Sequence, residues 1–400
     1  MLKHLTFATI GATIVALGFG NTALAATLEI IASNLDNPRG LTIGANSSLY
    51  VTEAGRGGAG PCIPSPTNPT ASVCYGATGA LTRIENGTVT RVVTGLPSLA
   101  APDGSEATGA HDIAFDATGQ PYVLIGLGSD PAVRSALGVP EFGQLLKINA
   151  LNGGSDWTAI ADVSAFEQAE NPDGSGVDSN PYSFVIQNNT AYVADAGANA
   201  LLKVDLDNGD VDLASVFGSR LVTNPFGGPY IPMQSVPNAV ASSSDDTLYV
   251  GELTGFPFPV DGARVYRVAN GVPEIFAEGF TNIIDLDFDS NGNLYVLEYA
   301  TNGILSGDFT GALTRLNPDG TRTTLLQDGL LAPTSFTFGD DGDIFIANRG
   351  IAAGQGEIIR FNPNDSQPVP EPSSWIGLLA ITSIGGFLKV TQRRRYCSHS

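Results

Sequence analysis

The chain has 400 residues, of which 42% are hydrophobic, so it is not a disordered chain and it has room for one large domain or two smaller ones. Acidic residues outnumber basic ones by 40 to 19, and the formal net charge is −21. A surface of this charge repels nucleic acid and anionic lipid and attracts cations, calcium among them.

The first 25 residues have the pattern of a secretory signal peptide. Lys3 lies in a short basic region, residues 5–19 are apolar, and Ala23-Leu24-Ala25 is a cleavage site of small residues. We predict cleavage after Ala25. The alternative is that the segment stays attached as a membrane anchor.

Two cysteines, Cys62 and Cys74, lie close together in one segment rich in Pro, Gly, Ser and Thr. In an oxidising compartment such a pair is expected to form a disulfide. Two ligands do not make a zinc site, which argues against a metal role. The third cysteine, Cys397, lies in a C-terminal tail that we expect to be removed.

One pattern recurs along the chain: an apolar strand, a turn of Gly, Asn, Asp or Ser, and a second strand beginning with Tyr-Val or Phe-Ile. The six copies begin at Arg39, His111, Tyr182, Asn238, Ile284 and Thr334. A second hairpin usually follows each copy, as in residues 79–93. Four strands per unit and the absence of a long helical period predict an all-β, six-bladed propeller over residues 26–364.

The sixth unit lacks a fourth strand, whereas residues 27–35 read as a strand without a unit. We predict that this N-terminal strand completes the last blade, so that three strands come from one terminus and one from the other. An open β-sandwich is the alternative, but it does not explain the repeated copies.

Residues 287–298 satisfy the EF-hand calcium pattern D-x-D-x-N-G-x5-E. In the repeat, however, Asp287 belongs to a column of inner-strand residues, and Asn291-Gly292 is a preferred turn pair. No flanking helices are evident. We interpret most of the match as a hairpin turn, which leaves Glu298 to be explained.

Glu298 belongs to a repeated column at the end of the second strand. The column reads Glu53, Ile125, Asp195, Glu252, Glu298 and Asn348. Hairpin geometry places it on the same face as the start of the first strand, and the longer loops emerge on that face, termed the top face. We predict a binding site there from Arg39, Glu53, His111, Tyr182, Asp195, Asn238, Glu252, Asp285, Glu298 and Asn348.

The column has two interpretations. A carboxylate at a strand end commonly accepts hydrogen bonds from backbone amides of the next turn. Alternatively, Glu53, Asp195, Glu252 and Glu298 hold a shared cation on the axis, for which calcium is the expected ion. His111 beside Asp112 is the candidate general base, and no other catalytic residue is predicted. The sequence contains no G-x-S-x-G, P-loop or zinc-ligand spacing.

The C-terminus has three parts: Pro370-Glu371-Pro372, an apolar segment at residues 375–388, and Arg393, Arg394 and Arg395. This order resembles the PEP-CTERM sorting signal, which implies a membrane-anchored precursor and cleavage by an exosortase during export. Residues 365–400 would then be a linker, a short transmembrane segment and a basic tail. An ordinary single-span anchor is the alternative.

Several long strings, among them LDNPRGLTIG, VLIGLGSDPAVR, NPDGSGVDSNPY and VGELTGFPFPVDGARVYRV, resemble the ScyD/ScyE family. The resemblance covers residues 28–362 and implies an exported, NHL-like propeller. Founding members of that family are associated with the scytonemin sunscreen pathway, without an established catalytic role, and the family extends beyond that pigment.

We therefore expect an exported protein of the periplasm, outer cell surface or extracellular matrix. As a binding or assembly module it would hold a small molecule, glycan or protein, in pigment or in envelope and exopolysaccharide processes. The alternative is a calcium-dependent hydrolase or lactonase of the gluconolactonase-like type, with His111 as base. A cofactor-dependent sugar dehydrogenase is a third possibility, but no cofactor-specific residue supports it.

Overall fold

Turn-forming residues interrupt every apolar run of the chain, so its strands are short and pair as hairpins. In the fifth repeat, the side chain of Asp289 closes the turn by accepting the backbone N–H groups of Asn291 and Asn293 at 2.9 and 2.8 Å. Gly292 has a φ of 80° in this turn, a conformation that favours glycine. The EF-hand-like sequence therefore folds as a β-hairpin, and its interpretation as a hairpin turn is confirmed.

The computed structural model describes residues 24–44, 47–68, 70–317, 319–340 and 342–368, with side chains from Leu28 to Asn364. Blade 1 contains β2 (Pro38–Ile43), β3 (Leu49–Glu53), β4 (Cys62–Pro64), β5 (Ser72–Glu85) and β6 (Thr88–Ala100). Blade 2 contains β7 (Ala110–Phe115), β8 (Pro121–Ile125), β9 (Gln144–Ile148) and β10 (Trp157–Asp162), and blade 3 contains β11 (Pro181–Gln187), β12 (Thr190–Asp195), β13 (Ala200–Asp205) and β14 (Val211–Val216).

A two-stranded hairpin, β15 (Arg220–Val222) and β16 (Ile231–Met233), follows blade 3. Blade 4 contains β17 (Pro237–Ser242), β18 (Leu248–Glu252), β19 (Ala263–Ala269) and β20 (Val272–Phe280). Blade 5 contains β21 (Ile283–Phe288), β22 (Leu294–Glu298), β23 (Ala312–Leu316) and β24 (Arg322–Leu326). Blade 6 contains β25 (Ser335–Phe338), β26 (Ile344–Asn348), β27 (Ala353–Pro368) and β1 (Leu24–Asp36).

The first strands of neighbouring blades contact one another around a closed ring, from β2 through β7, β11, β17, β21 and β25 back to β2. The sheet of blade 6 has the order β1-β27-β26-β25, so the N-terminal strand occupies its outer edge. Both the six-bladed propeller and its closure by strands from the two termini are confirmed.

Apolar side chains pack between adjacent blades rather than in one central core. Leu81 of blade 1 packs in one cluster with Val123 and Leu146 of blade 2. A similar cluster lies between each neighbouring pair, including one between blades 6 and 1 that contains Ala32 and Leu41. Burial in each cluster favours the stacked arrangement, so the ring is stabilised at every blade junction.

Segments predicted as loops contain additional structure. Part of the segment after β3 forms β4 and the extended start of β5, and the predicted disulfide between Cys62 and Cys74 is confirmed, with an S–S distance of 2.00 Å. Two helices also lie in predicted loops, α1 (Arg134–Leu137) and α2 (Val163–Glu170). Elements in such insertions escape the repeat pattern because they occur once.

Among the residues that the structure describes, no helix is long and apolar enough to cross a membrane. The apolar segment at residues 375–388 lies outside the described residues, as do the sorting motif Pro370-Glu371-Pro372 and the arginines Arg393–Arg395. Most of the predicted signal peptide, residues 1–23, lies outside them as well.

Candidate functional site

The acidic column at the ends of the second strands caps the linkers between blades. Oε2 of Glu53 accepts the backbone N–H of Asp36 at 2.7 Å, and Oδ1 of Asp195 accepts that of Asn180 at 2.6 Å. Glu298 and Asn348 accept the N–H groups of residues 281 and 331 at 2.6 and 2.8 Å. Each donor lies in the linker that enters the same blade, where a buried N–H needs a partner.

The remaining two members of the column show why it is not uniform. At the position of Ile125, the linker N–H of Thr108 pairs with the carbonyl of Leu99 at the end of the long strand β6, so no acidic side chain is required. Glu252 instead accepts two hydrogen bonds from Arg220, at 2.6 and 2.7 Å. Its Oε1 also accepts the hydroxyls of residues 235 and 266, both at 2.8 Å.

These contacts give each carboxylate of the predicted calcium site partners of its own. Glu53, Asp195, Glu252 and Glu298 belong to four different blades, and each is engaged by donors of its own surroundings. Across the described part of the chain, no group of three or more His, Cys, Asp or Glu side chains is placed to hold a metal ion. Calcium binding by the column stays a prediction.

The starts of the first strands form a packed layer across the axis. The guanidinium of Arg39 donates to the carbonyl of Ala107 at 2.8 Å and also to that of Gly350. Oγ1 of Thr334 donates to the carbonyl of Pro38 at 3.0 Å, and Nδ2 of Asn238 donates to that of Ile284 at 3.4 Å. This part of the predicted site is a structural ring of mostly buried groups rather than an open cleft.

His111 is part of that layer, and its surroundings do not favour a general base. The imidazole is 3% exposed and its ring centroid lies 4.9 Å from that of Tyr182. Nδ1 lies 3.0 Å from the carbonyl of Pro181, and a carbonyl can only accept, so Nδ1 carries the proton. Burial, aided by the charge of Arg39, lowers the pKa of His111 to about 3. The carboxylate of Asp112 accepts the backbone N–H of Phe184 at 2.8 Å rather than a hydrogen bond from His111.

Below this layer, the first strands of all six blades line an axial channel of about 350 Å³. Asp112, Asp285 and Asp287 lie in its wall. Burial raises their pKa values to about 8, 7 and 6, respectively, and the neighbouring carboxylate of Asp285 adds to the shift of Asp112. Asp285 also accepts the N–H of Phe336 in the next blade at 2.9 Å. Asp112 and Asp285 therefore join neighbouring blades across the inner edge, whereas Asp287 accepts the N–H of Phe288 in its own strand.

A second cavity, a groove of about 590 Å³, lies between blades 4 and 5 on the face opposite the top face. Tyr249, Phe276, Phe288 and Arg322 are among its lining residues. The rings of Phe276 and Phe288 lie against the edge of Tyr249, at 5.0 and 4.9 Å between centroids. The groove holds none of the residues that the sequence predicted as functional.

The most exposed apolar side chains of the top face lie in three loops, at residues 219–236, 254–262 and 300–310, outside the acidic column. This aromatic patch consists of Leu221, Phe226, Tyr230, Phe256, Val260 and Leu305. Phe226 is 83% exposed, and its ring stacks near that of Phe256 at 6.2 Å and 23°. The sequences NPFGGPY and GFPFPV could have indicated this surface, since aromatic residues are unexpected in exposed turns.

Buried polar contacts hold the aromatic patch in place. Arg220 of β15 is anchored by Glu252 and also donates to the carbonyl of Gly262. The backbone N–H of Thr254 bonds the carbonyl of residue 235 at 3.1 Å, and Thr254 and Val236 have φ values of 72° and 54°. Such conformations of β-branched residues cost about 1–3 kcal/mol each and persist only where the surrounding structure imposes them.

The described residues thus define a six-bladed β-propeller with a packed axis and an exposed apolar surface on its top-face loops. Neither protein-family profiles nor curated protein sequences give a match. Solved structures do match. A Trichoderma reesei enzyme of carbohydrate-active family AA12 is 10% identical, with a TM-score of 0.50, covering 88% of this chain and all 100% of its own.

Two other solved structures are similar at the same level. The calcium-binding regucalcin of Agrobacterium tumefaciens is 12% identical, with a TM-score of 0.48, over 84% of this chain and 93% of its own. The PQQ-bound aldose sugar dehydrogenase of Streptomyces coelicolor is 11% identical, with a TM-score of 0.49, over 86% of this chain and 99% of its own. At these identities the likeness concerns the propeller fold alone.

Proposed function

We propose that this protein is an exported binding module and that the aromatic patch is its ligand-contacting surface. The observation that carries the proposal is the exposure of Phe226, Phe256 and Tyr230 on loops that buried hydrogen bonds hold firmly. Contiguous apolar surface on a soluble protein commonly marks an interaction site. Rigid aromatic groups also lose little conformational entropy when they bind.

The chemistry of the patch favours a ligand with a flat apolar face. Exposed aromatic rings stack on planar pigments and on the C–H faces of sugars, and the acidic surface disfavours anionic partners. An extracellular glycan and a scytonemin-type aromatic pigment both offer such a face. The resemblance to the ScyD/ScyE family and the predicted signal peptide and sorting signal support an extracellular setting for either ligand.

The hydrolase alternative has weaker support. It requires a base that reaches a substrate, whereas His111 is buried in the packed layer and its Nδ1–H is directed to Pro181. It also requires a metal ion, and the carboxylates proposed to hold one cap separate blades. Binding therefore explains more of the described geometry than catalysis does.

Titration of the full-length protein with exopolysaccharide fragments and with a planar aromatic pigment, followed by intrinsic fluorescence or calorimetry, tests the proposal. The double variant Phe226→Ala/Phe256→Ala should weaken binding by about tenfold or more, because each stacked ring contributes about 0.5–1.5 kcal/mol. Its thermal midpoint should change little, since the exposed rings contribute little to the core.

Phe276→Ala is the matched control, because Phe276 and Phe256 have the same 46% exposure and Phe276 lies in the groove on the opposite face. It should bind as the wild type does. If the control loses affinity and the double variant keeps it, the ligand surface lies in the groove between blades 4 and 5, and the proposal is wrong.

A further inference from the structure

Helix α2 and the loop after it contain two buried oxygen atoms without a hydrogen-bond partner among the described residues, Oε2 of Glu167 and Oδ1 of Asn171. Glu167 is 0% exposed. Its other oxygen, Oε1, accepts the backbone N–H of Asp178 at 3.4 Å, so the carboxylate faces the loop formed by residues 171–178. Nδ2 of Asn171 donates into the same loop, to the carbonyl of Ser175 at 2.8 Å.

The orientation of the Asn171 amide is fixed by that bond. Exchanging its nitrogen and oxygen would place Oδ1 against the carbonyl of Ser175, and two acceptors would then face each other. Glu167 lies in the last turn of α2, and Asn171 caps the C-terminal end of the helix in a left-handed conformation, with a φ of 39°, so both residues lie at that end. Two acceptors at the negative end of a helix dipole require a donor or a cation.

Neighbouring carboxylates add negative charge around Glu167. Asp173, Asp178 and Asp195 lie near enough to Glu167 to raise its pKa, together with burial, which is the main cause. Asp195 is already occupied by donors such as Ser179, at 2.7 Å. Arg134, on the segment that contacts α2, pairs with Asp162 at the opposite end of the helix, at 2.7 Å.

We propose that Glu167 and Asn171 bind a calcium ion between α2 and the loop of residues 171–178. The donors are a carboxylate and an amide oxygen, the ligand types that calcium accepts in flexible coordination. Among the described residues no three acidic side chains are placed to hold one ion, so water or backbone oxygens complete the coordination. This proposal is independent of the aromatic patch and differs from the predicted site on the axis, which used none of these residues.

The expected affinity is low, with a Kd of about 10⁻⁴–10⁻³ M, as in extracellular modules with few charged ligands. An ion bound there would fix the long connection between blades 2 and 3 on the top face. Calcium would therefore raise the thermal stability of the folded protein without changing its fold, because binding to the folded state alone shifts the unfolding equilibrium.

The test is thermal unfolding of the full-length protein in EDTA, in about 10 mM calcium and in about 10 mM magnesium, with terbium luminescence as a direct probe of the site. Calcium should raise the wild-type midpoint by about 2–4 °C relative to EDTA. Glu167→Gln should fold normally in EDTA, lose this rise and lose terbium luminescence, because the amide keeps the shape but not the charge.

Glu170→Gln serves as the matched control, since Glu170 is an exposed carboxylate at the end of the same helix. It should keep the calcium response. An unchanged wild-type midpoint in calcium overturns the proposal and indicates instead that a proton shared between Glu167 and Asn171 satisfies both oxygens. A calcium response that survives in Glu167→Gln also overturns it, because the ion then binds elsewhere.

Discussion

Two carboxylates at equivalent positions of the repeat, Glu53 and Glu298, cap their linkers in different electrostatic surroundings. Glu53 also accepts hydrogen bonds from Arg91, at 2.9 and 2.6 Å, and from Thr82 at 2.5 Å. Glu298 accepts the backbone N–H of Thr281, and burial raises its pKa to about 7. The same residue type is thus a paired anion in blade 1 and an acid poorly suited to ionise in blade 5.

Substitution by glutamine should therefore have opposite effects at the two positions. Glu53→Gln removes one of the two carboxylates that pair with Arg91, which keeps Asp36 at 2.9 Å. It should lower the free energy of unfolding by about 1–3 kcal/mol near neutral pH, since Arg91 is partly solvated. Glu298→Gln keeps an acceptor for Thr281 and removes a charge that is unfavourable when buried, so it should not destabilise the protein at that pH.

The pH dependence separates these cases. The pKa of Glu298 is higher in the folded than in the unfolded state, so its contribution to stability is lost as pH rises through about 7. Glu298→Gln avoids that loss. Its free energy of unfolding should exceed that of the wild type by about 1–2 kcal/mol at about pH 8, and the two should be equal at about pH 5. Urea unfolding at both pH values measures the difference in stability. Equal decreases in the free energy of unfolding for Glu53→Gln and Glu298→Gln would contradict the prediction.

At the scale of elements, the hairpin β15–β16 depends on one buried ion pair. Arg220→Ala would leave the buried charge of Glu252 without its cationic partner, although Ser235 and Tyr266 still donate to it, and this should cost about 3–5 kcal/mol. Adding Glu252→Gln removes the uncompensated charge, so the double variant should recover part of the loss. Unfolding measurements give the coupling energy, and hydrogen exchange over residues 220–233 should increase in Arg220→Ala. Unchanged protection there would show that other contacts hold the hairpin.

The elements that the sequence predicted correctly are those that recur. The short strands, their turns and the closing N-terminal strand all follow from a pattern repeated around the ring. The extensions of β5 and β6 beyond the predicted hairpin of residues 79–93, helix α2 and the aromatic patch could not be obtained in that way, because each occurs once. Ile125 shows the same limit of prediction within the acidic column. It needs no carboxylate because the carbonyl of Leu99 accepts the linker N–H, and only the folded chain reveals that hydrogen bond.

At the scale of the whole molecule, side chains tie the inner edges of the blades into a ring. The first strand of a blade has no partner strand on its axial side. In four of the six blades, a backbone N–H of this strand donates instead to a side-chain oxygen of the preceding blade. The side chains accept these backbone N–H groups at donor–acceptor distances of 2.8–3.2 Å. The pairs are Asp112 with Phe184, Ser183 with Val240, Asp285 with Phe336, and Ser335 with Leu41. The sequence placed Asp112 and Asp285 near the axis, but it assigned them to a site rather than to blade packing.

This ring makes the stability of the propeller depend on pH. Burial raises the pKa of Asp112 to about 8 and that of Asp285 to about 7, above their values in the unfolded chain. Both contribute most at low pH, and their contribution is lost as pH rises through those values. We expect the free energy of unfolding to fall by about 1–3 kcal/mol between about pH 5 and about pH 8, less than the full shifts imply because the channel admits water.

The double variant Asp112→Asn/Asp285→Asn should flatten that dependence, because the amide oxygens still accept from Phe184 and Phe336 but no longer titrate. Ser183→Ala removes an inter-blade bond of the same ring without removing a titrating group. It should lower stability by about 1 kcal/mol at every pH and leave the slope unchanged. A slope as steep as that of the wild type in the double variant would place the titrating groups elsewhere, Asp287 of the channel wall among them. Loss of the slope would show that the two carboxylates couple the joining of the blades to pH.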